Sequence, residues 1–336
     1  MKTTTRHIGT GAEASMEDGS AQPDDIERYF EPLLGFHSIE TRVRRLANAD
    51  NATPEVNAHF LYPAFQNERP AVAPLVEALT DSILGFCITK AEIADAKLAD
   101  AKIRHGSPAI QRLISKAKRR FIKAKEMSKS GEGGELLLYA LIENFLQAPI
   151  ILSKMRLKTS AQMPVHGSDG VHARWDTRKN RLVIIFGESK VHASCAAAVK
   201  AAAKSVGEFA NNIGDRKSYE LQLTTDHIDL DGFPKESKDA LLRYLHPFAT
   251  EEANSREDRF AILIAYDSSG YVDPDDVDSA EDAFVKFYRE DLERVLRLAR
   301  QHLKANKVSL RFVDLFVFPL PDAQAFRDMF KEALRV

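Results

Sequence analysis

The sequence predicts a mixed α/β protein, a central sheet with helices on its faces. Segments of helical period alternate along the chain with short β-branched runs. One such run, Leu182-Val-Ile-Ile-Phe186, is continuously apolar, as a strand covered on both faces would be. The chain has 336 residues and is 44% hydrophobic, which is ample for a large core.

The elements follow in order. Residues 1–24 are rich in Gly, Ser, Thr, Ala and acids and have little to bury, so a disordered tail is expected there. Residues 25–130 read as an N-terminal, mostly helical region packed on the core, with a short strand at Asn57–Tyr62 and helices over Ala71–Phe86 and Lys90–Lys102. Ser107-Pro108 opens a further, strongly basic helix running to Met127, because proline suits the first helical position. Gly131-Glu-Gly-Gly134 reads as a break, after which residues 131–336 form the core with a C-terminal α/β extension. Glu135–Gln147 is apolar on nearly all sides, a core helix closed by Pro149. A polar segment, Ser153–Asp169, leads into a hairpin of Val171–Asp176 and Arg181–Phe186, turning at Thr177–Asn180. Alanine-rich Cys195–Ala210 is a helix. Helix Lys235–Tyr244, strand Phe260–Tyr266, amphipathic helix Ala280–Lys304, strand Ser309–Phe318 and helix Ala323–Leu334 complete the chain, with no internal repeat.

Composition excludes some functions. A net charge of -2 rules out a globally basic nucleic-acid coat but not a local basic groove. Cys87 and Cys195, far apart, make no disulfide framework and point to a reducing, cytoplasmic compartment. No apolar run approaches the roughly 20 residues a bilayer requires, and the N-terminus lacks the apolar core of a signal peptide.

The chemistry gathers around Glu188-Ser-Lys190, an acid and a base two apart at the end of the Leu182–Phe186 run. Residues two apart share a strand face, and burying both charges without partners is costly. Upstream lie Glu135, at the start of the core helix, and Asp169, at the start of the hairpin. The order helix–strand–strand with acid, acid, then Glu-x-Lys is that of a PD-(D/E)xK, restriction-endonuclease-like nuclease core. Carboxylates about 4 Å apart repel by roughly 4 kcal/mol per pair at an effective dielectric near 20. A cluster of Glu135, Asp169 and Glu188 therefore implies a hard cation, Mg²⁺ or Mn²⁺. Such an ion would polarise a scissile phosphate and acidify a bound water. Lys190 would orient or deprotonate that water, or stabilise transition-state charge. The competing reading is a solvated strand end with a surface ion pair, worth about 0–1 kcal/mol.

Longer motifs narrow the choice. Gly134-Glu-Leu-Leu-Leu-Tyr139, Ser153-Lys-Met-Arg-Leu-Lys-Thr159, Met163-Pro-Val-His-Gly-Ser-Asp-Gly-Val-His172 and Gly187-Glu-Ser-Lys190 together resemble the HamA family, nuclease subunits of the Hachiman antiphage defence system. The resemblance is dense over residues 132–192, looser over the C-terminal strands to Phe316-Val-Phe-Pro-Leu-Pro321, and absent from the tail. It implies a metal-dependent deoxyribonuclease whose Glu-x-Lys is Glu188 and Lys190, with the His-Gly-x-Asp-Gly acid at Asp169. The helix acid falls on Glu135, with Glu132 and Glu143 as nearby competitors. Ser168-Asp169 stands where the superfamily name has Pro-Asp. The resemblance also implies a heterodimer with the HamB superfamily-2 helicase, which holds the nuclease in check until it engages phage-associated or damaged DNA. The alternatives are a restriction or repair nuclease on the same core, and a non-catalytic adaptor that binds DNA or the helicase.

Other residues are candidates for supporting roles. Arg112, Lys116, Lys118, Arg119, Arg120, Lys123, Lys125 and Lys129 form the strongest local positive charge: a phosphate-tracking stripe, a solvated helix face or a docking surface for an acidic partner. Lys154, Arg156 and Lys158 lie between two proposed ligands and are candidates for contact with the DNA backbone. His166 and His172 bracket Asp169; zinc would need more soft ligands, so hydrogen bonding behind the acids, or ordinary loop packing, is expected. The acidic loop Asp273–Asp282 lacks the glycine and terminal glutamate of a calcium loop.

Overall fold

The computed structural model describes residues 27–335 apart from 29, 36, 48–54, 123–130, 158–166, 231–233 and 249–253. The expected tail, and the basic helix beyond Ile122, lie outside the described residues. The described strands are β1 (Val43–Arg45), β2 (Asn57–Pro63), β3 (Phe65–Gln66), β4 (Arg69–Pro70), β5 (Ile150–Ser153), β6 (Gly170–Asp176), β7 (Arg181–His192), β8 (Arg256–Asp267) and β9 (Val313–Leu320). The α-helices are α1 (Val72–Asp81), α2 (Ile83–Cys87), α3 (Lys90–Asp100), α4 (Pro108–Ile122), α5 (Glu132–Leu141), α6 (Lys154–Leu157), α7 (Cys195–Ala210), α8 (Arg216–His227), α9 (Lys235–Tyr244), α10 (Ala280–Ala305) and α11 (Ala323–Leu334).

Seven strands make one mixed sheet in the order β1-β2-β9-β8-β7-β6-β5. Its centre, β2-β9-β8-β7, is parallel, and its two margins are antiparallel. Alternation along each strand sends one set of side chains to each face. Leu182, Ile184 and Phe186 of β7 join Phe260, Ile262 and Ile264 of β8 in the core beneath α7 and α10. Val183, Ile185 and Val191 join Leu263 and Phe316 beneath α1, α5 and α11. The mixed α/β prediction is met, and the run α5–β5–β6–β7–α7–β8 is consistent with a PD-(D/E)xK-like core.

Several expectations change in detail. The strand expected at Asn57–Tyr62 is present as β2, and with β1 it extends the sheet, pairing in parallel with β9. The helix expected over Ala71–Phe86 breaks at Ser82 into α1 and α2. Gly131–Gly134 does not break the chain; α5 starts at Glu132 and runs through both later glycines. The reason is close packing: a Cβ on Gly134 would lie 2.6 Å from Val191 Cγ2, so only glycine lets α5 ride this close to β7. The last strand starts at Val313, after a 3₁₀ turn at Leu310–Phe312. Strand β8 starts at Arg256, earlier than its apolar stretch, since Arg256 pairs with Asp258 at 2.8 Å and Arg259 with Asp314 at 2.9 Å.

Candidate active site

The site is built where the sheet loses a strand. β6 stops with Gly170 opposite Gly187, while β7 continues alongside β8 to His192. Glu188 and Lys190 therefore lie inside a strand rather than at its end, on a stretch with no strand on its β6 side. Backbone groups on that edge still need partners, and side chains supply them. Asp169 N donates to Gly187 O at 2.8 Å, and Asp169 Oδ2 accepts from both Ser189 N and Ser189 Oγ at 2.8 Å. Arg327 of α11 donates to Val191 O. Asp169 thus stands in for the next residue of the missing strand.

Glu188 shares its face with Phe186, so its carboxylate points toward α7, where it is buried and paired with Lys190. Burial, then the nearby charge of Asp169, raises its pKa, against Lys190 and the Ser205 hydroxyl. Burial alone would lower the pKa of Lys190, but Glu188 and, behind it, Asp169 and Glu135 raise it. Lys154, at the start of α6, is in the same position: burial opposes, and Asp169, Glu135, Glu188 and Glu220 together raise its pKa. Two lysines are therefore set in the field of one group of acids.

A magnesium ion takes oxygen ligands, and Asp169 and Glu188 are the donors of the right chemistry. The acids are not yet gathered as ligands, however. Lys190 holds Glu188, Ser189 holds Asp169, and among the described residues no three His, Cys, Asp or Glu side chains stand close enough to share an ion.

A family model for HamA matches residues 38–334. The chain belongs to the HamA family. It is accordingly a Hachiman-associated protein. No curated protein matches it.

In this HamA-family chain, Glu135 and Glu143 are set apart. Glu135 acts on both site lysines. Glu143 lies elsewhere, in a π-helical turn at Ile142–Leu146. It accepts from Gly35 N at 2.6 Å, His37 Nε2 at 2.7 Å and Ile150 N at 2.9 Å. Burial alone would raise its pKa, but His37 and the Ile150 amide hold it below the usual carboxylate range. Glu143 is a structural anchor. His172 belongs with it rather than behind Asp169: its ring is buried, with Nδ1 donating to Ala148 O at 2.8 Å. His166 lies outside the described residues.

The basic candidates divide. Lys123 and Lys158 are outside the described residues. Arg156 is not on a DNA-facing surface; its guanidinium is buried against Asp229 at 3.1 Å and Gly85 O at 2.8 Å. Arg120 donates to Cys87 O, Lys118 donates to Ala333 O at 3.2 Å, and Lys116 pairs with Glu92. These residues dock α4 on its neighbours, and Arg112 and Arg119 remain exposed. Lys154 belongs to the site itself. The HamA-family site also includes Ser189, Ser205 and Glu220, none of which carries a sequence signal of its own.

Proposed function

We propose that this HamA-family chain is a Mg²⁺-dependent deoxyribonuclease and the cutting subunit of a Hachiman complex with a HamB-type superfamily-2 helicase. The observation that carries the reading is the notch beside β7, where Lys190 pairs with Glu188 and Asp169 is bonded to Ser189 between them. Asp169 and Glu188 would hold the cation, which supplies Lewis-acid polarisation of a phosphodiester and neutralises developing charge. Lys190, kept protonated by its neighbours, donates hydrogen bonds to the phosphate or to the incoming water's oxygen. Lys154 adds a second positive charge against the phosphate, and Ser189 keeps one Asp169 oxygen fixed.

One observation favours a second reading, a non-catalytic adaptor: Lys190 already neutralises Glu188, and the acids are not gathered around one point. Plasmid degradation with Mg²⁺, helicase and DNA ends separates the two. The nuclease reading expects cleavage by the wild-type chain and none by a Glu188→Ala, Lys190→Ala double variant. Equal inertness of both would leave the adaptor, and equal cleavage would place the site elsewhere.

A further inference from the structure

We propose that Glu220 of α8 is a positioning residue for Asp169, clamping the backbone just ahead of it so that its carboxylate meets a divalent cation. The inference rests on the nuclease reading, since a clamp on Asp169 matters to activity only if Asp169 holds the ion.

Asp169 is gripped from both sides. Behind it, Ser189 gives two bonds of 2.8 Å to one carboxylate oxygen. Ahead of it, Ser168 Oγ donates to Glu220 Oε1 at 2.8 Å, and the Ser168 amide bonds the same carboxylate. Gly167 completes the grip: its φ is +152°, and a Cβ there would overlap Glu220 Oε2. The chain at 167–168 is therefore wrapped directly on the Glu220 carboxylate.

Glu220 is 5% exposed, on a helix whose other residues are mostly polar. Burying a carboxyl is costly unless bonds compensate, and burial pushes this one up to about 7 against the Ser168 bonds and Lys154. An acid kept at such a position is better explained by what it holds than by stability. What it holds adjoins the site: Gly167, Ser168, Glu188 and Ser205 line one cavity of about 30 Å³. Glu220 also joins Asp169, Glu135 and Glu188 in acting on Lys154.

The test uses the full-length chain with Glu220→Gln, Glu220→Ala and Ser168→Ala variants. Three quantities are read: Mn²⁺ affinity by calorimetry, melting temperature, and Mg²⁺-dependent plasmid cleavage with the helicase. In Glu220→Gln the amide oxygen still accepts from Ser168, so the Mn²⁺ Kd should stay within about threefold of wild type. Glu220→Ala should weaken Mn²⁺ binding by about tenfold or more, with cleavage falling alongside and the melting temperature equal or higher. Ser168→Ala should fall between them. A Glu220→Ala chain with unchanged Kd overturns the proposal. So does a Gln variant as weak as the Ala variant, because charge rather than the clamp would then be at work. A loss of binding that only tracks a lost folded fraction overturns it too. A wild-type chain that binds no Mn²⁺ sinks the nuclease reading itself, which the variant comparison alone does not.

Discussion

Replacing His172 with asparagine decides whether this histidine serves the site or the fold. Its ring is 1% exposed, and burial holds its pKa at about 4, against an ordinary 6.5, with Glu143 and the Ala148 bond opposing. Between those values the unfolded chain carries a proton on His172 that the folded chain does not. Stability therefore rises with pH across that window and is lost on acidification. The gap, at about 1.4 kcal/mol per pH unit, amounts to roughly 3 kcal/mol, most of which is gone by pH 4.5. Glu143, held below the usual carboxylate range, loses its contribution in the same direction at lower pH. Urea unfolding at pH 7.5 and 4.5 isolates the histidine contribution: the acid-induced loss should shrink by roughly 2–3 kcal/mol in His172→Asn. The folded variant should still cleave DNA at pH 7.5. An unchanged acid loss, together with lost cleavage in a fully folded variant, would refute the structural assignment and put His172 back behind Asp169.

Three further changes probe neighbouring parts of the molecule. Arg112→Glu with Arg119→Glu, the exposed pair on α4, should weaken DNA binding and reduce the salt slope by roughly one for each phosphate no longer neutralised; an unchanged slope in a salt titration would leave α4 as a solvated face. Arg156→Ala removes the paired guanidinium from a buried Asp229, leaving it the Lys90 amide bond of 2.7 Å, and should cost about 3–5 kcal/mol in urea unfolding; a loss below about 1 kcal/mol would contradict the buried pair. Gly134→Ala forces a Cβ to within 2.6 Å of Val191 Cγ2. Overpacking of about 1–3 kcal/mol should outweigh the gain of about 1 kcal/mol in helix propensity, so a raised melting temperature would show that α5 has room to shift.

The parts legible in sequence are those set by local pattern. The hairpin, the Cys195–Ala210 helix and the long C-terminal helix all stand where period and turn residues put them. Glu188 and Lys190 were legible because a strand's period of two places them on one face. Tertiary context governed the rest. The apolar run ends at Phe186, yet β7 continues because β8 pairs with it as far as Tyr266, beyond the reach of hydropathy. Gly133 and Gly134 read as a break because their role is to let α5 approach β7 and α11. β5 is too short, at four residues, to show a period. Glu220 was invisible because its meaning comes from Ser168, 52 residues away.

Electrostatics argue for a cation at the notch more directly than motif spacing does. Asp169, Glu188, Glu135 and Glu220 act on Lys154, and Glu188, Asp169 and Glu135 act on Lys190. Four acids thus face two ammonium groups. Glu188 and Glu220 are buried, where solvent screens charge least. The chain answers with protons and bonds: burial and Asp169 raise the Glu188 pKa, burial pushes Glu220 up to about 7, and Lys190 lies directly on Glu188. A divalent ion would replace them together, freeing Lys190 to face a phosphate and letting Asp169 and Glu188 remain charged side by side. The same accounting gives the adaptor reading its burden, because an adaptor has no use for several acids set around two partly buried lysines.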